Sequence, residues 1–375
     1  MSQISAQKVS VLIASTLKPI RDIRAFGKLA LSLGETNKYR LNIIGFSPKK
    51  PKSESGIRFF SSMSHFDSTW DRILAQPRFL ICLFRVRPKV LICCTYEFLP
   101  IASFFKPILG YKLVYDVQEN YPANLDLNSN LSSRKKEKAI KLIRRAESVK
   151  GIDLFLLAEK CYAHEMPEKR PFLFLENKYQ GEIEAKGSLR LKGNKKFRFC
   201  ISGTVTPSFG TWDAVIWFKE ILKDYPESKL EIIGHCPLEN FRGKLTQIAR
   251  EIPQLTIRID RNPVPHHDLI AALKRSDFAL LPYQNHPVIA DKMPTKLFEC
   301  AALHIPVLIS PNPKWETFLA DFNGGYSVDF LDSTRAHEKF EEALEQTYFN
   351  SAPPENVLWK TEKIHFQQAI QNLLP

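Results

Sequence analysis

Apolar and polar positions along this chain follow two alternating rhythms. Short runs rich in β-branched and aromatic residues occur at 9–15, 41–46, 90–95, 113–117, 154–158 and 172–175. They resume at 197–202, 230–234, 255–259, 278–282, 306–310 and 326–330. Most are continuously apolar rather than alternating, the pattern of strands buried on both faces. Between them lie stretches with helical spacing, among them 21–33, 212–222, 268–274 and 339–346. This βαβ rhythm predicts an α/β protein with parallel sheets covered by helices on both sides. The segment 180–196, rich in Lys, Glu and Gly, divides two such runs. Two doubly wound domains are therefore expected, with functional residues just after strands, at a cleft between the domains.

Length agrees, since 375 residues exceed one ordinary core and suit two. With 44% hydrophobic and 25% charged residues, the composition is that of a folded chain. The opening residues carry no signal-peptide pattern, and the longest apolar run, 79–84, is far too short to span a bilayer. Seven cysteines lie mostly inside apolar runs without a C-x-x-C pair, which suits reduced, buried thiols and a cytoplasmic location. The net charge of +13 favours anionic partners. It is densest at 134–150, where Ile140, Ile143 and Ala146 recur at helical spacing among lysines and arginines. This segment reads as an amphipathic basic helix with a solvated face, the alternative being peripheral contact with the inner face of a membrane. Without interleaved aromatics it does not suggest a nucleic-acid partner.

The first strand runs into Thr16-Leu17-Lys18-Pro19-Ile20-Arg21-Asp22 with no glycine-rich dinucleotide or P-loop fingerprint. The most informative stretch is Asp291-Lys292-Met293-Pro294-Thr295-Lys296-Leu297-Phe298-Glu299, after a strand ending in Pro282-Tyr283. Pro294 suits the first helical position, and Thr295 and Glu299 share a face. The free N–H groups of the first turn can take a diphosphate, and Glu299 can accept from the vicinal hydroxyls of an attached ribose. His266-His267-Asp268 invites a metal reading, but a solvent-facing helix start is expected there, and no metal ligand is assigned.

Pro294-Thr295-Lys296-Leu297-Phe298-Glu299-Cys300-Ala301-Ala302, followed by Ile305-Pro306-Val307, resembles the donor-site helix of family-4 glycosyltransferases, which have the GT-B fold. By the spacing of that family's Glu-x7-Glu pair, Asp291 and Glu299 match its members. Val114-Tyr115-Asp116-Val117-Gln118-Glu119 resembles its strand-end motif Asp-Val-His-Glu. Ile201-Ser202-Gly203-Thr204 resembles the glycine turn of its donor domain, and Trp359 with Ile364, Phe366, Ile370 and Leu373 its closing helix. The resemblance implies two Rossmann-like domains facing each other across a cleft. These are an acceptor-side domain at 1–180, a donor domain at 181–355, and a helix at 356–375 crossing back to the first.

It further implies transfer of a sugar from a nucleotide-diphosphate-sugar to a glycan, lipid-linked or polysaccharide acceptor, with retention of configuration and without a metal or other cofactor. Gln118, Glu119 and Asp291 would serve the transferred sugar. Glu299, Lys296, Thr295, Gly203, Thr204 and Tyr283 would hold the donor, while Thr16, Arg21 and Asp22 would lie on the acceptor side. Loops at 47–68 and 124–133 would shape the acceptor pocket. The chain also departs from the family: Asp291 stands for its first Glu, Gln118 for its His, Thr204 and Phe209 for diphosphate-gripping Arg and Lys, and Lys18-Pro19-Ile20-Arg21 for the Gly-Gly often found after the first strand. Gln accepts or donates a hydrogen bond but cannot carry a proton or charge. The alternative reading is a GT-B-shaped, sugar-nucleotide-binding or regulatory partner without catalysis.

Overall fold

The computed structural model describes residues 8–66, 68–125, 131–184 and 186–374. The chain divides into two compact units, one of Met1–Gln180 with Trp359–Pro375 and one of Gly181–Leu358.

The strands of the first unit are β1 (Val9–Pro19), β2 (Tyr39–Phe46), β3 (Arg58–Met63), β4 (Val90–Cys93), β5 (Lys112–Val117), β6 (Leu154–Leu157) and β7 (Phe172–Phe174). They form one parallel sheet ordered β3-β2-β1-β4-β5-β6-β7. The order reverses between β1 and β4, so the connections leaving their carboxyl ends run in opposite directions there. Both faces are covered. One buries Phe79, Leu83, Phe98 and Tyr115 beneath the helices Thr69–Val86 and Leu99–Leu109. The other buries Leu29, Ile43, Ile92 and Leu156 beneath the helical segment starting at Ile23 and the C-terminal helix Trp359–Asn372.

That last helix is fastened by side chains as well as by burial. Trp359 Nε1 donates to Ser32 Oγ at 2.9 Å, and Lys178 pairs with Glu362 at 2.6 Å. Trp359, Phe366 and Ile370 are buried, whereas Ile364, expected to pack with them, is exposed. Five residues beyond Trp359, it falls on the opposite side of the helix. The expected helix at 21–33 begins as a π-helical stretch, Ile23–Ala30, before tightening to α at Leu31–Glu35. The expected acceptor loop at 47–68 instead contains β3, an edge strand that Arg58, Ser61 and Ser62 kept from reading as an apolar run. Part of the other such loop, 126–130, lies outside the described residues.

The second unit repeats the scheme with β9 (Arg198–Thr204), β10 (Lys229–His235), β11 (Leu255–Asp260), β12 (Phe278–Leu281), β13 (Val307–Ile309) and β14 (Gly325–Ser327). Their parallel order is β11-β10-β9-β12-β13-β14, reversing between β9 and β12. Within the segment expected as linker, β8 (Leu189–Arg190) pairs antiparallel with β15 (Thr347–Tyr348). The core is aromatic. Phe340, fully buried on the helix Ala336–Leu344, has ring centroids of Phe197, Phe199, Trp217, Tyr225 and Phe278 within 5.0–5.8 Å of its own.

Such a ring cluster is worth more than its buried area. Phe340→Ala is therefore expected to cost about 3–5 kcal/mol, and Phe340→Leu clearly less. Urea denaturation of both variants checks this, and equal loss would remove the special role of the rings.

Candidate functional site

The donor-type residues gather at the carboxyl ends of β9 and β12 in the second unit. The helix that follows that region, Thr295–Leu303, starts one residue later than expected. Pro294 (φ −55°, ψ 133°) is the residue before the helix, since its ψ is extended rather than helical. Glu299 projects from the first turns into the unit and is only 2% exposed. A lone carboxylate there would be severely penalised. Instead its Oε2 accepts from Lys296 Nζ at 2.6 Å, and its Oε1 lies 2.8 Å from His266 Nε2. Burial pushes the Glu299 carboxyl up, but the Lys296 charge and the His266 hydrogen bond reverse this and hold it at about 2. Burial likewise lowers the Lys296 ammonium, and its pairing with Glu299 more than compensates, so it stays charged.

The Lys296 stem lies against the turn that ends β9. A Cβ at Gly203 would stand 3.4 Å from Lys296 Cε, and Gly203 itself has φ +110°. The next close approach is Gly210 (φ +65°), where a Cβ would fall 1.7 Å from the Pro282 carbonyl oxygen. Only glycine lets the chain after β9 pass so near the end of β12. Between these turns is a small cavity lined by Ser202, Thr204, Phe209, Thr211, Tyr283 and Lys296, among others. Tyr283 is wedged between Phe209 and Trp315, at centroid distances of 4.7 and 5.7 Å. Ser202 Oγ and Thr211 Oγ1 are buried without a hydrogen-bond partner among the described residues. Unsatisfied hydroxyls beside an ammonium are fitted to oxygens of an anion.

Of the expected donor residues, Glu299, Lys296 and Gly203 are thus in mutual proximity, and Thr204, Tyr283 and Lys296 line one cavity. Thr295 is the first residue of the helix. Asp291 is exposed in the connection before it, and Lys314 Nζ donates to its main-chain carbonyl. Sequence reasoning missed His266, Ser202 and Thr211. His266, expected to face solvent, opens the helix His266–Lys274 and turns onto Glu299, while His267 stays exposed beside Asp268. No local pattern links residues 33 positions apart, so that contact was invisible. Thr211 left a faint signal, as a hydroxyl directly after a glycine at a helix start.

The first unit has its own cluster at the β1–β4–β5 ends. Asp116, fully buried on β5, is gripped by Arg24, with Nε 2.8 Å from Oδ2 and an Nη 2.6 Å from Oδ1. Gln118 Nε2 donates to the same Oδ2 at 2.8 Å. Burial opposes the Arg24 charge, and Asp116 raises its pKa nonetheless. Arg24 Nη1 and Tyr121 Oη are buried without a partner among the described residues.

Glu119 accepts from Asn124 Nδ2 at 2.6 Å. Thr16 is buried, its Oγ1 3.2 Å from Thr95 Oγ1 and within 3.4 Å of Glu97, so it ties β1 to the residues after β4 rather than lying open. Asp22 accepts from the N–H groups of Arg24 and Ala25, capping the helix. Arg21 is exposed and bonded to Glu54 at 2.7 Å.

No protein-family model matches the chain, and no curated protein sequence does. Solved structures do resemble it along nearly its whole length. Anabaena Alr3699/HepE, in complex with UDP and glucose, is 11% identical with a TM-score of 0.62, over 98% of this chain and 99% of that one. Sucrose-phosphate synthase from Thermosynechococcus elongatus is 10% identical with a TM-score of 0.68, over 98% and 99%. A protein assigned as a UDP-N-acetylglucosamine 2-epimerase from Listeria monocytogenes is 12% identical with a TM-score of 0.53, over 98% and 96%.

The ionic cluster carries a pH signature. The Glu299 pKa is depressed in the folded state, so its stabilisation is fully present above the ordinary carboxyl value. It fades as pH falls from about 4.5 toward about 2. Urea midpoints of the parent should therefore drop through this window, by a component of the order of 3 kcal/mol. Glu299→Gln should lack that component, and an unchanged acid profile in the variant would refute the pairing. At this level of identity the likeness establishes the architecture: the chain has the GT-B fold.

Proposed function

We propose that the chain is a glycosyltransferase that moves a sugar from a nucleotide-diphosphate-sugar to a glycan, lipid-linked or polysaccharide acceptor. The single observation carrying this reading is the buried Glu299 anion held by Lys296 and His266 beside the Gly203 turn. Glu299 keeps spare lone pairs for the vicinal hydroxyls of a ribose. Lys296 uses one of three N–H groups on Glu299, so the others can compensate the charge of a diphosphate, with the Ser202 and Thr211 hydroxyls donating hydrogen bonds to it. That charge compensation supports metal-independent departure of the leaving group. Retention of configuration, the assignment of Gln118, Glu119 and Asp291 to the sugar, and that of Thr16, Arg21 and Asp22 to the acceptor follow the family resemblance. The free thiols suit a cytoplasmic setting.

A second reading, a sugar-nucleotide-binding partner without catalysis, has its own support. Phe209 stacks on Tyr283 where the family has a cation, and Gln118 stands where it has His. The neighbour assigned as an epimerase is consistent with it, since a fold does not fix one reaction.

UDP is the first nucleotide to test, since the Anabaena neighbour was solved with it. Calorimetric titration with UDP, GDP and ADP should give binding by one of them. Glu299→Ala should weaken it about 10- to 100-fold through loss of charge-assisted bonds to the ribose. Full affinity in that variant, or no binding by any nucleotide, would sink the donor site. Turnover by the parent separates the two readings. If only Gln118→His turns over donor, the chain is the non-catalytic partner.

A further inference from the structure

The first unit carries an apolar face that its core does not use. Along the helix Thr69–Val86, Trp70, Ile73, Leu74, Ile81 and Phe84 point to solvent, with Trp70 76% and Ile81 67% exposed. Their spacing of three, four and seven residues makes a stripe about 21 Å long by helical rise, on the side opposite the buried Ala75, Phe79, Cys82 and Leu83. The neighbouring helix Leu99–Leu109 extends it. Phe84 stacks edge-on against Phe105 at 5.3 Å, Phe105 touches Phe104, and Phe104 and Ile108 are 68% and 64% exposed. Exposed apolar side chains are ordinary when scattered; contiguous and aromatic, they mark a surface that meets something.

Charge indicates what that is. The helix Thr69–Val86 has one acidic residue, Asp71, and it is buried, accepting from Arg78 and from the main chain of Ser64 and His65. The helix Leu99–Leu109 has none. Arg85 flanks the stripe, and its long stem can keep charge in water while the apolar residues sink. Beside them runs the helix Ser133–Glu147, in contact with Leu99–Leu109. It carries seven basic residues against Glu137 and Glu147. Glu147 is taken up by Tyr115 and Lys169, leaving Glu137, paired with Lys141, as the exposed acid on all three helices.

We infer that this face, formed by the helices Thr69–Val86, Leu99–Leu109 and Ser133–Glu147, docks on the surface of an anionic lipid bilayer. The stripe lies flat in the headgroup region and the basic helix rests on lipid phosphates. A second copy of this chain fits poorly, because a two-fold contact would set the same cations against one another. No described helix is long and apolar enough to cross a membrane, which agrees with lying on the surface rather than spanning it. The inference rests on this surface alone and not on any donor chemistry.

Vesicle flotation of the full chain tests it, with phosphatidylcholine alone and with added phosphatidylglycerol. Binding is expected to the anionic vesicles at about 0.1 M salt, weakening as salt rises. Ile81→Glu with Phe104→Glu should reduce it about tenfold or more, and each basic residue removed, Lys135→Ala or Lys138→Ala, about fivefold. All these side chains are exposed, so melting temperatures should stay unchanged and separate lost docking from lost folding. Brominated lipid should quench tryptophan emission in the parent and lose that quenching in Trp70→Phe. Absence of binding to anionic vesicles, quenching that survives Trp70→Phe, or a dimer that Ile81→Glu dissolves would each overturn the assignment.

Discussion

A parallel strand covered by helices on both faces has no wet side, so a charge along its length must bring its own counter-charge. Both sheets obey this. The Val11–Ala14 stretch of β1 and the whole of β4 and β12 are buried and apolar, and ionisable groups are displaced to the strand ends, among them the carboxyl ends beside the reversals of strand order. The same constraint that builds the core therefore concentrates chemistry at two places. Asp116 and Glu299 show the condition for an exception. Each is buried and each is met by cations, Arg24 for the first, Lys296 and His266 for the second.

The two clusters are built alike but left in different states. Arg24 embraces Asp116 with two nitrogens, a fixed planar fork, and the pair locks the helix after β1 to β5. Lys296 holds Glu299 with one rotatable ammonium, which can be shared with an arriving anion without leaving its partner. Removing either carboxylate would strand a buried cation, a cost well above that of a surface ion pair. The second cluster also adjoins the unpartnered hydroxyls of Ser202 and Thr211. A shareable ammonium beside such hydroxyls suits a ligand, and the rigid pair keeps open groups of its own in Arg24 Nη1 and Tyr121 Oη, unpartnered among the described residues.

What could be read from the chain follows the same physics. The strands buried on both faces are continuous apolar runs, and each run singled out beforehand became a strand within a few residues. Edge strand β3 escaped because exposed Arg58, half-buried Ser61 and buried Ser62 interrupt its apolar run. Around Glu299, the helix start is local in sequence and was legible to within one residue, whereas the Lys296 contact was not drawn and His266 arrives from another helix. The exposed stripe was hidden for the opposite reason. Residues 79–84 look like core, yet Phe79 and Cys82 point in while Ile81 and Phe84 point out. An apolar run tells that a helix is hydrophobic all round, not that half of it lacks a partner.

Gln118, which stands where the family this chain resembles has His, shares one property of that residue and lacks another. An amide facing a carboxylate must turn its NH2 toward it, so the Asp116 contact fixes Gln118 with its carbonyl oxygen directed away. A neutral histidine donating one ring N–H to Asp116 would likewise leave a lone pair on its other nitrogen. Donor inward and acceptor outward are preserved. What disappears is the ability to hold a proton, which a histidine beside a buried carboxylate would readily take up as pH falls. The Gln118 carbonyl oxygen therefore remains an acceptor at every pH that leaves the fold intact. The cation that Asp116 holds at this point is Arg24, whose Nη1 is buried and unpartnered among the described residues.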